Sequence, residues 1–250
     1  MTDLEKQWLQ EGSHHMHGWD FSHLEGRWET TPLPWDYSTQ VRERLRPEDE
    51  WLDLDTGGGE LMCQFNHAAD KTTVTENWQP NVELLKQSVV PSGVHLYPMA
   101  DVQLSQLADQ TYDVITSSHG RVPTAGIART LKPGGYFVTQ QVGATNNYTL
   151  ARFLNPHYVP AYPENTLIAI TTALQAAGLE IVMADAAYAK MNFDDVGAVV
   201  YYATMIPWEF PDFDAEQQLP KLHQLQQLIV ATGKITTFED RFMVVARKPG

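Results

Sequence analysis

Apolar and polar positions alternate along the chain in a repeating order of strand-like and helix-like segments. Short runs rich in apolar and β-branched residues indicate strands, and apolar residues at helical spacing separate these runs. The predicted strands cover residues 51–54, 72–75, 94–97, 112–116, 136–139, 179–182 and 241–246. The predicted helices cover residues 4–9, 38–45, 80–89, 104–108, 125–131, 146–154, 165–177, 196–206 and 219–232. This order predicts an α/β fold: a doubly wound, mostly parallel seven-stranded sheet with helices on both faces and an antiparallel C-terminal strand.

The first predicted strand runs directly into a glycine turn, residues 55–59, with the sequence Asp-Thr-Gly-Gly-Gly. Three successive glycines weaken any regular element, and their usual role is a tight turn where the backbone approaches another group closely. A helix-compatible pattern resumes at Leu61. This order of strand, glycine turn and helix is typical of sheets that bind nucleotide-like cofactors at their carboxyl edge.

Composition narrows the functional classes. The 250 residues are 43% hydrophobic, which is enough for a sizeable core, and no apolar run approaches the roughly 20 residues of a membrane span. Cys63 is the only cysteine, and the N-terminus lacks a signal-peptide pattern, so we expect a cytoplasmic protein. The formal charge of -14 disfavours nucleic acid as a partner, because the only basic cluster, Arg42, Arg44 and Arg46, is diluted by acids.

Four landmarks in the right order resemble the class I S-adenosylmethionine-dependent methyltransferases, which have a Rossmann-like fold. They are residues 52–59, Glu76 after the second strand, Asp101 after the third, and the Lys-Pro-Gly-Gly turn at 132–135 before the fifth. The fourth strand at 112–115 also fits. The resemblance covers residues 51–143, and it implies S-adenosylmethionine as the cofactor. The chain has no internal repeat and no obvious linker, so we expect a single domain, 1–250. Within it we expect an N-terminal arm or lid at 1–48, a cofactor-binding half at 49–143 and a substrate-side half at 144–250.

The same resemblance implies a set of cofactor contacts. Gly57, Gly58 and Gly59, with Thr56, would let the backbone approach the methionine part, whose carboxylate favours a helix N-terminus. Asp53 would hold the ammonium group. Glu76 would accept both ribose hydroxyls, Asp101 would receive the adenine amino group, and Ser117 completes the predicted contacts. Ordinary strand-end or helix-capping roles remain the alternatives for Glu76 and Asp101.

Asp55 departs from the family pattern, which has glycine in this place. Its carboxylate either narrows the space near the methionine part or contacts the ammonium group, and we favour the contact.

The acceptor side is less defined. Enzymes that methylate base amino groups carry an Asn/Asp-Pro-Pro-aromatic stretch after the fourth strand, whereas this chain has Ser-Ser-His-Gly at 117–120. A small-molecule acceptor is therefore expected. His119 is at the right edge of the sheet for a general base, with packing as the alternative, and Gln140 and Gln141 would orient a polar acceptor.

Aromatic and histidine-rich segments lie outside this core pattern. Trp19, Trp35 and Trp208 belong to aromatic stretches that either roof an apolar acceptor site or pack the arms on the core. The run of His14, His15 and His17 is interpreted as a solvated loop or as part of an expression-tag remnant, and no metal is expected, because no acidic or cysteine partner has ligand spacing nearby.

Two other functions remain in competition. A nicotinamide-dependent oxidoreductase is disfavoured because its Gly-x-Gly-x-x-Gly spacing is absent at 57–62. A catalytically degenerate methyltransferase fold that serves as a ligand-binding or interaction module stays open, because of Asp55 and the lack of an acceptor signature. The sequence does not predict the oligomeric state.

Overall fold

The computed structural model describes residues 1–14, 21–99 and 104–250. Within these residues the strands are β1 Trp28–Thr30, β2 Trp51–Leu54, β3 Thr72–Glu76, β4 His95–Pro98, β5 Tyr112–Ser118, β6 Leu131–Val142, β7 Glu180–Phe193 and β8 Ile235–Arg247. The helices are α1 Asp3–Glu11, α2 Tyr37–Arg42, α3 Glu60–Cys63, α4 Gln79–Ser88, α5 Thr124–Thr130, α6 Tyr148–Leu154, α7 Leu167–Ala176, α8 Val196–Met205 and α9 Leu219–Thr232. No helix among the described residues is long and apolar enough to cross a bilayer.

The strands form one sheet in the order β1-β7-β8-β6-β5-β2-β3-β4. β2 pairs in parallel with β3 and β5, and the pairs β3–β4 and β5–β6 are also parallel. β1 pairs with β7 in the antiparallel direction. The predicted α/β class and mostly parallel sheet with its antiparallel C-terminal strand are confirmed. The described residues hold eight strands rather than the predicted seven, because three-residue β1 is too short to show an alternating pattern.

Two predictions of secondary structure are wrong. Residues 132–135, predicted as a turn before the fifth strand, lie within β6, although Gly134 keeps a left-handed φ of +82°. Residues 104–108 form turns rather than a helix. Leu104 has φ +52°, and a residue in this left-handed region cannot continue a right-handed helix.

The described chain divides into two compact units. The single domain expected from the sequence remains a prediction. One unit comprises residues 1–33, 143–163 and 187–241, and its core surrounds the almost fully buried helix α8. The other comprises residues 34–142, 164–186 and 242–250. It contains β2 to β6, with apolar clusters on the sheet that include Leu52, Ile115 and Phe137.

The parallel strands of the second unit determine where its polar side chains meet. Carboxyl ends of parallel strands lie at one edge of a sheet. The carboxyl ends of β2, β3 and β5 therefore share this edge. The glycine turn follows β2, Glu76 is the last residue of β3, and His119 follows β5.

Candidate active site

The glycine turn reverses the chain through three left-handed residues. Asp55 has φ +51°, Gly57 has φ +66° and Gly59 has φ +89°. A Cβ atom at Gly59 would lie 3.1 Å from Leu85 Cδ2, so this glycine lets helix α4 pack closely. A Cβ atom at Gly57 would have no described heavy atom within 4 Å. Gly57 therefore faces open space at the strand edge.

Asp55 has the backbone conformation that explains why glycine is common in its place. Aspartate is among the few non-glycine residues that tolerate the left-handed region. Its Oδ2 accepts a 3.0 Å hydrogen bond from the backbone N–H of Arg121, whose Nε lies 3.8 Å away. Its Oδ1 accepts a 3.3 Å bond from Asn77 Nδ2. The Asp55 carboxylate thus connects the loops after β2, β3 and β5.

Glu76 is 5% exposed, and protein donors occupy its carboxylate. Oε2 accepts from Gly57 N at 2.9 Å and from Asn81 Nδ2 at 3.4 Å. Oε1 accepts from the backbone N–H groups of Asn77 and Trp78, both at 2.8 Å. A carboxylate offers about four lone-pair sites, so all of those of Glu76 are engaged: one holds the glycine turn and three hold the segment that follows β3.

Asp53 lies below the turn rather than on its open side. Its Oδ2 accepts a 2.6 Å bond from Thr56 Oγ1, and its Oδ1 accepts a 2.5 Å bond from Thr116 Oγ1. Burial raises the pKa of the Asp53 carboxyl to about 6, against the opposing effect of these two hydrogen bonds. Asp53 is therefore placed to orient Thr56 from beneath.

Ser117 and His119 lie two positions apart at the end of β5, and their side chains differ in exposure to solvent. Ser117 is fully buried, and its Oγ has no hydrogen-bond partner among the described residues. His119 is exposed, has φ +65°, and donates its backbone N–H to Gln140 O at 2.9 Å. The backbone of the loop after β5 is thereby fixed to β6, with the imidazole on the outside.

Gln140 and Gln141 do not act together. Neighbouring residues of a strand point to opposite faces. Gln140 is partly exposed and donates from Nε2 to Ser118 Oγ at 2.9 Å. Gln141 is 1% exposed and donates to Thr139 Oγ1 at 2.8 Å. Only Gln140 shares the exposed side of this edge with His119.

A small cavity of about 270 Å³ lies at the same edge. Its walls are Leu54, Asp55, Thr75, Met99, Leu104, Arg121 and Pro123. Thr75 Oγ1 accepts from Asp55 N at 3.0 Å. Thr75 and Arg121 were not predicted as site residues, because no local pattern relates either of them to Asp55.

The remaining predicted residues are dispersed. Trp35 is partly buried against the cluster of Tyr37 and Val41, and its indole Nε1 has no hydrogen-bond partner in the described part of the chain. Trp208 belongs to the other unit and packs on its apolar core. Trp19 and Asp101 lie outside the described residues.

The sequence matches no protein-family model and no curated protein sequence. The structure is similar to an S-adenosylmethionine-dependent methyltransferase from Methanosarcina mazei, with TM-score 0.53, 14% identity and coverage of 84% of this chain and 97% of the other. It is also similar to a protein from Bacillus halodurans proposed to be a methyltransferase, with TM-score 0.56, 16% identity and coverage of 86% and 99%.

A third similar structure is a protein from Galdieria sulphuraria proposed to be a sarcosine dimethylglycine methyltransferase, with TM-score 0.52, 15% identity and coverage of 85% and 84%. At these identities the similarity establishes the fold. The chain therefore has the Rossmann-like fold of the class I S-adenosylmethionine-dependent methyltransferases.

Proposed function

We propose that this chain is an S-adenosylmethionine-dependent methyltransferase that acts on a small-molecule acceptor. The observation that carries the proposal is Gly57, a left-handed glycine whose missing side chain leaves open space at the carboxyl edge of a methyltransferase-type sheet. A backbone without a Cβ atom lets a ligand approach closely. Two observations support a small acceptor over nucleic acid. The net charge of this chain is -14, and the structural neighbour from Galdieria sulphuraria is named for small amino-acid acceptors, sarcosine and dimethylglycine.

The turn would hold the methionine part of the cofactor. In this assignment the backbone at Gly57 and Gly58 contacts that part, and Asp53 keeps Thr56 in position from below. The Asp55 carboxylate, 19% exposed, faces the ammonium group. A cation favours a carboxylate partner at short range, which accounts for an acid where the family has glycine.

Glu76 would bind the ribose hydroxyls. Its longest hydrogen bond, 3.4 Å to Asn81 Nδ2, is the contact that a ribose hydroxyl would replace at least cost. The bond from Gly57 N keeps the glycine turn in place during binding, and the bonds from Asn77 N and Trp78 N fix the segment after β3. Asp101 remains the predicted adenine contact, and Ser117 contributes a buried hydroxyl next to the loop that ends at Gly120.

The cofactor supplies an electrophilic methyl group on a sulfonium. The protein would contribute positioning for in-line transfer of this group to the acceptor. His119 would take the proton that a neutral acceptor must lose, and Gln140 would orient the acceptor from the adjacent strand.

A second candidate is a degenerate methyltransferase fold that binds a ligand without transferring a methyl group. Asp55, which stands where the family has glycine, and the lack of an acceptor signature after the fourth predicted strand favour it.

Titration calorimetry with S-adenosylmethionine and S-adenosylhomocysteine tests both candidates. If the chain is an enzyme, we expect each compound to bind at one site with a dissociation constant in the micromolar range. We also expect methyl transfer to at least one acceptor in a panel of amines, carboxylates and alcohols. Binding without transfer selects the second candidate. Absence of binding by either compound excludes the cofactor assignment.

A further inference from the structure

Three potential metal ligands converge in the unit that contains the N-terminus. Glu11 is the last residue of α1, His14 follows it, and His23 lies in a short 3₁₀ turn at Ser22–Leu24. The ligating nitrogen and oxygen atoms of these residues all lie within 4.8 Å of one another. His23 Nε2 is 2.7 Å from Glu11 Oε2, and His14 Nε2 is 4.0 Å from the same oxygen. Two imidazoles thus face one carboxylate oxygen.

The surrounding side chains hold this arrangement in place. Both imidazole rings pack on Tyr201, with centroid distances of 5.2 Å for His14 and 4.5 Å for His23. Arg27 Nη1 contacts the other oxygen of Glu11, Oε1, at 2.9 Å. Because Oε1 is already engaged, Oε2 is directed towards the histidines. In metal sites, residues behind the ligands generally hold the ligating side chains in the orientation that binding requires.

Arg27 is itself fixed from the opposite side. Its Nε and Nη2 donate to the two oxygens of Asp195 at 2.9 and 2.7 Å. Gly197 leaves the room for this packing, since a Cβ atom there would lie 2.8 Å from Arg27 Nη2. Two carboxylates therefore face one guanidinium, and the charge at Glu11 is only partly neutralised.

His23 Nε2 lies between groups of opposite charge. This nitrogen is 2.7 Å from the Glu11 carboxylate, which only accepts, and 3.1 Å from Arg27 Nη1, which only donates. A protonated Nε2 donates to Glu11 Oε2. When Nε2 is unprotonated, its lone pair and those of Oε2 face each other, and a metal ion would bind both atoms while Arg27 Nη1 keeps Glu11 Oε1 as its acceptor at 2.9 Å.

We propose that Glu11, His14 and His23 bind a divalent transition-metal ion of the zinc type, through Oε2 and the two Nε2 atoms. Imidazole and carboxylate are normal zinc ligands, and a set with two imidazoles disfavours Mg²⁺ and Ca²⁺. The site has three protein ligands, which leaves a position for water or an exogenous ligand. It ties the end of α1 to the segment at 22–24. This site was not predicted from the sequence, because His23 is separated from His14 by eight residues and its role depends on the fold.

Calorimetric titration of chelator-treated protein with Zn²⁺ tests the proposal, with Co²⁺ absorption as a second readout of coordination. A Cys63→Ser background removes the exposed thiol, which is itself a zinc ligand. We expect one equivalent to bind, and His14→Ala, His23→Ala and Glu11→Gln each to weaken affinity by about 10-fold or more. The matched control is the double variant His15→Ala/His17→Ala, which should bind as tightly as the parent.

Three results would overturn the site: no Zn²⁺ binding, unchanged affinity in His23→Ala, or an equal loss in the His15/His17 control. The last result would assign binding to the histidine run alone. Because His14 and His23 are substantially exposed, their replacement by alanine should leave the fold intact, and circular dichroism checks this.

Discussion

The backbone N–H of Gly57 donates a 2.9 Å hydrogen bond to Glu76 Oε2, which joins the turn after β2 to the end of β3. This bond makes one carboxylate responsible for two properties, the shape of the turn and the proposed ribose contact. We expect Glu76→Gln to lower the free energy of unfolding by about 1–3 kcal/mol, since an amide NH₂ would face a backbone donor. Affinity for S-adenosylmethionine should fall by about 10-fold or more.

Urea denaturation and calorimetry measure the two effects of Glu76→Gln separately. Glu83→Gln is the matched control, because Glu83 is an exposed acid of α4 that pairs with Lys86. A Glu76→Gln variant that is destabilised but binds the cofactor normally would restrict Glu76 to the structural role.

Gly57 and Gly178 form a natural pair for testing the open side of the turn. Both are left-handed, with φ +66° and +89°, and a Cβ atom at either has no described heavy atom within 4 Å. Alanine should therefore cost each about 1 kcal/mol of stability. Only Gly57→Ala should also weaken cofactor binding, by about 10-fold or more, because its methyl group enters the proposed methionine site. Equal binding by both variants would place the cofactor elsewhere.

Asp55→Asn separates charge from shape. Asparagine also tolerates the left-handed conformation, so the turn should persist. If the Asp55 carboxylate faces the ammonium group, the variant should bind S-adenosylmethionine about 10-fold more weakly, which corresponds to about 1.4 kcal/mol. Methylthioadenosine lacks the amino-acid part and should bind equally to both proteins. Tighter S-adenosylmethionine binding by the variant would show that the carboxylate obstructs the site instead.

Local patterns account for the elements that carry the turn. Strand β2 was predicted at its observed bounds, 51–54, because a short apolar run ends at three glycines. The Asp55–Arg121 contact could not be predicted, since its partners are 66 positions apart and their meeting depends on the parallel pairing of β2 with β5. Likewise, alternation along β6 separates Gln140 from Gln141 once the strand is known, but both look equivalent as consecutive polar residues.

His119 provides a test of base catalysis that respects its backbone. At φ +65° an alanine would be strained, whereas asparagine tolerates this conformation, so His119→Asn is the preferred variant. We expect kcat to fall by about 10²–10⁴-fold with an acceptor that must lose a proton, and cofactor affinity to remain unchanged. An acceptor that is already ionised should lose little rate. Equal kcat in both proteins across the pH profile would remove His119 as the base.

Asp53 should make stability depend on pH in an unusual direction. Burial raises its pKa in the folded state to about 6, above the value of about 3.9 in an unfolded chain. Between these values the folded state binds the proton more tightly, so the contribution of Asp53 to stability is fully present below about pH 4 and is lost as the pH rises through 6. Its full loss corresponds to about 3 kcal/mol.

Asp53→Asn stays neutral, so the stability of the variant minus that of the wild type should increase by up to this amount from pH 4 to pH 7. Chemical denaturation at several pH values measures the difference. A stability difference between Asp53→Asn and the wild type that stays constant with pH would contradict the raised pKa of Asp53.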